Sequence, residues 1–320
     1  MPTKKVPPLR SLKPLSLMSK ITRRDLLFSI FILPLFQLKK EDFPAVGISS
    51  DKDPFKRVYN SLKNAFGSKP EEYFKKNLKS DSAVGIKLNC LGGKNLSPKV
   101  EYVEALVKIL KESGVKEENI IVFDRSDKEL ERAGFKINKS GNGYKCYGTN
   151  GEYLPEVEEA MSVGACFSNI CKKITHLINF GVLKDHDLAG ISVGLKNYYG
   201  LIHNPNKYHQ NNCSPYVAHL STHPYIRDKH ILTIIDGTVC QYNGGPAYNP
   251  KFIEKTDILF SSTDLCACDF YGWEKIDYFR KKNNLKILEE ERRKPKYLEE
   301  AVKLKITKAG FGKFKVVENL

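Results

Sequence analysis

The sequence predicts an α/β protein: a mostly parallel sheet with flanking helices, of the open doubly wound type. Three observations carry that prediction. Apolar runs at 83–89 and 120–123 flank an amphipathic stretch, all within about 40 residues. Two more strands of the buried type, at 231–235 and 258–260, follow later. Polar residues close each run. An unbroken run is what a strand buried on both faces requires, and strand–helix–strand makes the two strands parallel with a right-handed crossover.

Taken in order, the chain opens on a basic stretch ending in Thr22-Arg23-Arg24-Asp25, followed by the apolar run Leu26–Leu38 and then Lys39-Lys40-Glu41-Asp42. Paired arginines ahead of a short apolar core are the layout of a twin-arginine signal. The apolar run falls short of the roughly 20 residues that span a bilayer. A buried N-terminal helix is the competing reading, but paired arginines at its border are costly in a core. Residues 1–40 are therefore expected to be a signal or membrane tether, and 41–320 a single domain. That domain would be exported to the periplasm, or held on the outer membrane face by the N-terminal segment, with the twin-arginine machinery as a partner. No small-x-small cleavage site follows the run, so a retained tether stays open. Met18 opens a more typical signal than Met1, and either can be the start.

In the body, Asp53-Pro54 starts a helix with Pro at its first position, Val58, Leu62, Ala65 and Phe66 give its apolar face, and Gly67 ends it. After the strand at 83–89, a Gly92-Gly93 loop leads to Ser97-Pro98 and a helix marked by Val103, Leu106, Val107 and Leu110. Ile120–Phe123 is the second strand. Residues 141–155, rich in Gly and Tyr, read as a small β excursion. Ile174–Leu183 reads as a strand, and 188–199 as a helix with Leu188, Ile191 and Leu195 on one face. Residues 201–230, rich in His, Asn and Pro, read as a long loop, and a loop that long in a compact domain is usually functional. Strands at 231–235 and 258–260 follow. The tail carries one helix from Tyr297 and an irregular end.

The formal charge is +15, but residues 1–40 hold nine Lys/Arg against one Asp, leaving +7 for the rest. No basic run interleaved with aromatics forms a nucleic-acid motif, so nucleic acid is not an expected partner. The eight cysteines include no C-x-x-C pair. They read mostly as small buried apolar side chains, with one or two disulfides left open. No Gly-x-Gly-x-x-Gly or Walker loop occurs, which leaves Rossmann hydride transfer and P-loop phosphoryl transfer without support.

Ligands of open parallel sheets bind outside the carboxyl ends of the strands. The strands here end in Lys87 and Asn89; in Asp124-Arg125-Ser126; in Lys184, Asp185 and His186; in Asp236-Gly237; and in Ser261–Asp264. Convergence of the five would gather lysines, a histidine and carboxylates into one cleft. Polar strand ends that merely meet water are the bland alternative.

At these residues the chain resembles the DUF362 family, from about Gly85 to Leu298. The resemblance rests on Ile86-Lys87-Leu88-Asn89, Leu183-Lys184-Asp185-His186-Asp187-Leu188-Ala189-Gly190 and Leu195-Lys196-Asn197-Tyr198-Tyr199-Gly200. Ile235-Asp236-Gly237 with Gly244-Gly245-Pro246, and Ser262-Thr263-Asp264 with Asp269, complete it. It implies a protein of the stand-alone exported kind, because the cysteine runs of a ferredoxin cluster are absent; the family has no established reaction. It also implies a histidine near position 209, and packing rather than metal ligation for Cys266 and Cys268.

Lys184 and His186 are two apart, so on a strand they face one side. They are the best candidates for catalysis, His186 because its pKa range suits proton transfer. Lys87, Asn89, Lys184, Lys196, Asn197 and His209 are the expected ligand-binding set, with lysines holding a carboxylate or phosphate. Asp236, Asp264 and Asp269 are candidates for a divalent metal, or for orienting the lysines by ion pairing. His219-x3-His223 has metal-like spacing, but His223-Pro224 disfavours the helix it needs. The leading expectation is an enzyme or redox-accessory protein acting on a small anionic ligand, with a redox partner in the second case. A non-catalytic periplasmic ligand-binding or assembly factor is the alternative.

Overall fold

The computed structural model describes residues 43–318, so the paired-arginine segment lies outside the described residues. β1 (Ala45–Ser49) is a strand that sequence reasoning does not single out, being short and interrupted by Gly47. A Cβ on Gly47 would sit 2.2 Å from the Ala65 nitrogen, so the next helix packs on this strand backbone to backbone. That helix, α1 (Pro54–Phe66), starts where the Asp53 side chain accepts the Lys56 N–H and stops at Gly67, whose φ of 67° is left-handed. After α2 (Pro70–Asn77), β2 (Val84–Leu88), α3 (Val100–Glu112) and β3 (Ile120–Phe123) form the expected strand–helix–strand unit. α4 (Asp127–Ala133) is capped by the Ser126 hydroxyl.

The Gly/Tyr-rich excursion supplies β4 (Lys145–Cys146), which joins β3 in parallel. The small hairpin lies further on, in β5 (Glu158–Ala160) and β6 (Val163–Ala165). α5 (Ile170–Lys173) precedes β7 (His176–His186), and β8 (Gly190–Ser192) folds back antiparallel on its end. The helix expected at 188–199 is absent. Gly190 has a φ of 81°, which stops a right-handed helix, and Leu188, assigned to the apolar face, is 50% exposed. A 3₁₀ turn, Leu195–Leu201, follows instead. The spacing of Leu188, Ile191 and Leu195 suits a helix, but it fits a tight turn followed by a β-branched strand as well.

The long His/Asn-rich segment is a chain of short turns: 3₁₀ at Pro205–Tyr208, then α6 (Gln210–Cys213), α7 (Tyr216–Leu220) and α8 (Pro224–Arg227). β9 (His230–Gln241), β10 (Ile253–Ser262), α9 (Ala267–Lys282), α10 (Lys296–Lys303) and β11 (Lys315–Glu318) complete the fold. The tail thus ends in a strand.

Among the described residues the main sheet has nine strands, ordered β11-β1-β10-β9-β7-β2-β3-β4, with β8 on β7. All run one way except β10, antiparallel to β9 and β1, and β8. Successive residues serve opposite faces. Ile178, Phe180, Leu232, Ile234 and Leu259 pack with α1, α2 and α3, while Leu183, Ile235 and Phe260 pack with α9 and α10. This is a helix–sheet–helix sandwich around a mostly parallel sheet. The reversal of β10 breaks the expected convergence, since its carboxyl end, with Asp264, lies at the opposite edge from those of β2, β3 and β7. β9, moreover, runs past Asp236 to Gln241. All eight cysteines are free, seven of them buried; Cys266 and Cys268 are fully enclosed.

Candidate functional site

A cavity of about 290 Å³ opens at the carboxyl ends of β2, β3 and β7. The 3₁₀ turns at 195–201 and 205–208 and the loop at Pro246 complete its walls. Lys87, Asn89, Lys184, His186, Lys196, Asn197 and His209 all line it; Asp236, Asp264 and Asp269 do not.

β2 contributes Lys87, which is only 1% exposed. Its ammonium donates to Asp124 Oδ1 (2.7 Å), Leu88 O (2.6 Å) and Asn197 Oδ1 (3.2 Å). Three protons meet three acceptors, so this lysine has none left for a ligand. Asp124 is equally engaged, accepting the backbone N–H groups of Cys90 and Arg125. Asn197 donates to Lys87 O and to Asn179 Oδ1. Lys87, Asp124 and Asn197 are thus a closed frame tying β2, β3 and the 195–201 turn together. Gly200 belongs to the same frame. A Cβ there would lie 2.6 Å from the Lys87 ammonium, which explains the glycine.

Two other lysines are differently placed. Lys184 is completely buried, yet among the described residues its ammonium has one hydrogen-bond partner, Asn89 Oδ1 at 3.1 Å. Desolvation brings its pKa down to about 8, and the nearby Lys196 and Lys87 charges act in the same direction. Lys196 lies in the turn, with its ammonium 3.1 Å from His209 Nε2 and 4.2 Å from the Tyr199 ring centre. Desolvation lowers it to about 8 as well. The other charges around the cavity cancel, Lys87 with Asp124 and Arg125 with Glu129. Lys184 and Lys196 have no carboxylate within ion-pair distance among the described residues.

His186 shares the cavity-facing side of β7 with Lys184. Its Nδ1 accepts the N–H groups of Leu188 (3.2 Å) and Ala189 (3.3 Å), so the imidazole proton belongs on Nε2. Asp187 Oδ1 is 3.0 Å from that Nδ1 but accepts the Leu188 N–H itself. Burial, reinforced by Lys196, His209 and Lys184, holds His186 down to about pKa 2, as a neutral ring. His209 lies 5.5 Å from it, ring to ring. His209 Nδ1 is 3.0 Å from the Pro205 carbonyl, to which it can only donate, leaving Nε2 to accept from Lys196. Between them, Asp185 points to the far side of β7, where it pairs with Arg293 and accepts the Gly245 N–H.

The three aspartates do not form a metal centre. Asp236 accepts from Thr238 and from the Lys99 N–H. Asp264 caps α9 through the N–H groups of Cys266 and Ala267 and binds Thr307. Asp269 accepts the N–H groups of Gly194 and Leu195, clamping the start of the turn that carries Lys196. Nor do they orient the lysines by ion pairing. His219 bonds Ser162 and His223 caps α8, so that pair is also dispersed. No group of three or more His, Cys, Asp or Glu among the described residues is placed to hold a metal. Sequence reasoning missed Ser192, Tyr199 and the Arg125–Glu129 pair in the cavity wall. The last had a signal, opposite charges four apart at a helix start, and so had Ser192, in the Gly-x-Ser-x-Gly spacing of Gly190-Ile191-Ser192-Val193-Gly194.

A family model described as "Domain of unknown function (DUF362)" matches residues 84–274. No curated protein matches the chain. Among solved structures it is similar to the lactate racemase apoprotein from Thermoanaerobacterium thermosaccharolyticum, at 13% identity and a TM-score of 0.46, covering 76% of this chain and 60% of that one. It is also similar to a structural-genomics protein from Thermotoga maritima, at 12% identity and 0.40, covering 68% and 58%. The chain spans about three fifths of the length of either structure.

Proposed function

The chain belongs to the DUF362 family, and from that premise we propose that the cavity beside β2, β3 and β7 binds a small anionic ligand and acts on it chemically. The observation that carries this reading is the pair Lys184 and Lys196, two buried amines facing one cavity with no carboxylate within ion-pair distance among the described residues. A buried cation without a partner is costly, and a site that keeps two of them gains most when an anion enters. His186 Nε2–H and the Asn89 amide N–H groups add donors, while the wall carboxylates Asp124 and Glu129 are engaged within the protein. The ligand the wall suits is therefore rich in acceptors, such as a carboxylate, oxalate or phosphate. Strongly shifted titratable groups gathered in a cleft favour an enzyme or redox-accessory protein over a passive binder.

Melting curves with oxalate or inorganic phosphate test the reading. A ligand at about 100 times its Kd adds roughly 2.7 kcal/mol, which should raise Tm by roughly 5–10 °C in a domain of this size. Lys184→Met/Lys196→Met should abolish the rise. An equal rise in that double variant would place the anion elsewhere.

We also propose that the chain is exported through the twin-arginine route, on the support of Arg23-Arg24 ahead of the apolar run Leu26–Leu38.

A further inference from the structure

The two cavity lysines differ in what their nitrogens can do. Resting on the anion-binding reading above, we propose that Lys184 is a nucleophilic amine that forms an imine with a small carbonyl compound bearing an anionic group, which Lys196 holds.

Hydrogen-bond counting separates the two. An ammonium has three protons to place, and Lys87 shows the full set satisfied in this same wall. Lys184 is as deeply buried as Lys87 but has one acceptor, Asn89 Oδ1. That arrangement suits a neutral amine, which donates one proton to Asn89 and keeps a lone pair for the cavity. Lys196 faces the reverse surroundings. His209 Nε2 can only accept from it, and the Tyr199 ring face attracts a cation. Lys196 therefore suits the charged form, and its charge close by favours the free amine at Lys184, a known way of activating a lysine. The depressed pKa of Lys184 agrees with the geometry.

The step balances without a further reagent. The Lys184 nitrogen lone pair attacks the carbonyl carbon, the carbonyl oxygen takes up the two amine protons, and water leaves as the C=N bond forms. The anionic group is held by the Lys196 ammonium and the His186 Nε2–H. Asp124 is not free to accept a proton, because Lys87 and two backbone N–H groups engage it.

Glyoxylate, an aldehyde joined to a carboxylate, is the probe, with cyanoborohydride to reduce the imine and benzaldehyde as the neutral control. Peptide mapping of the full chain after brief treatment at pH 7.5 should find carboxymethyl-lysine at Lys184. It should form on the order of a hundredfold faster there than at exposed lysines, from the difference in free-amine fraction. Its rate should rise with a midpoint near pH 8, and benzaldehyde, which lacks the anionic group, should show a preference for Lys184 over exposed lysines at least about tenfold smaller than glyoxylate does. Lys196→Met should slow glyoxylate labelling at Lys184 by about tenfold or more, as a lost charge-assisted contact would. Wild-type mapping needs no variant to fold. If glyoxylate raises Tm but Lys184 stays unlabelled, or is labelled only at the rate of surface lysines, the amine role is overturned while the anion cavity stands. If glyoxylate, oxalate and phosphate all leave Tm unchanged and Lys184 unlabelled, both readings fall.

Discussion

Three lysines of similar burial do three different things, and neighbouring atoms decide which. Lys87 is matched by Asp124, so Lys87→Met should strand a buried carboxylate and cost about 3–5 kcal/mol in denaturant unfolding. A loss below about 1 kcal/mol would mean that the pair is not part of the frame. Lys184 has no such partner, and its removal should act in the opposite direction. Its folded pKa of about 8 lies below the ordinary 10.5. Below pH 8 both states hold the proton and the penalty for burying it is fully present. Between about pH 8 and 10.5 the unfolded chain binds more protons, so the penalty fades as pH rises. Lys184→Met should therefore exceed wild type in stability at pH 7, by up to about 3 kcal/mol, and the gap should close toward pH 10.5. A gap that does not change with pH would contradict the burial of an uncompensated lysine. Strand-end position in the sequence nominated Lys87 and Lys184, and the family resemblance nominated Lys196. The distinction between frame and ligand group was not legible there, because it depends on Asp124, Asn197 and Asn89 arriving from three separate segments.

The 195–201 turn is the element on which the site most depends. It positions Lys196 and Asn197, and Asp269 holds its first two N–H groups from across the molecule. Asp269 looked like a metal ligand because a carboxylate's sequence neighbours do not reveal which donors fold onto it. The turn itself read as the end of a helix, since a left-handed glycine at 190 leaves no mark on apolar spacing. Its close contact with β2 gives a clean test. Gly200→Ala should push the Lys87 ammonium aside and cost roughly 1–3 kcal/mol, as overpacking does. In a Lys87→Ala background the same change should cost almost nothing, because the obstructing atoms are gone. Equal costs in the two backgrounds would show that the glycine answers to something other than Lys87.

At the scale of the whole molecule, the parallel strands β2, β3, β7 and β9 were readable as apolar-rich segments, unbroken only in β3. The direction of β10 was not, because an apolar run looks the same whichever way the strand points. That one reversal sent Asp264 to the far edge. No helix among the described residues is long and apolar enough to cross a membrane. The export proposal therefore rests on residues 18–38 alone. Replacing Arg23 and Arg24 by Lys should leave the protein inside the cell in fractionation, and undiminished export would refute the signal.

β1 lies between β10, antiparallel on one side, and β11, parallel on the other. The helix after it is tied to the same distant region, where the Ser61 and Ser261 hydroxyls meet at 2.9 Å across 200 positions of chain. The first described strand to leave the ribosome is consequently among the last to find its neighbours, since residues 253–262 and 315–318 must be synthesised first. Loop closure over such spans is slow, so Val46 and Ile48 stay without sheet partners through most of translation. The nascent chain cannot close this sheet before residues 315–318 have left the ribosome.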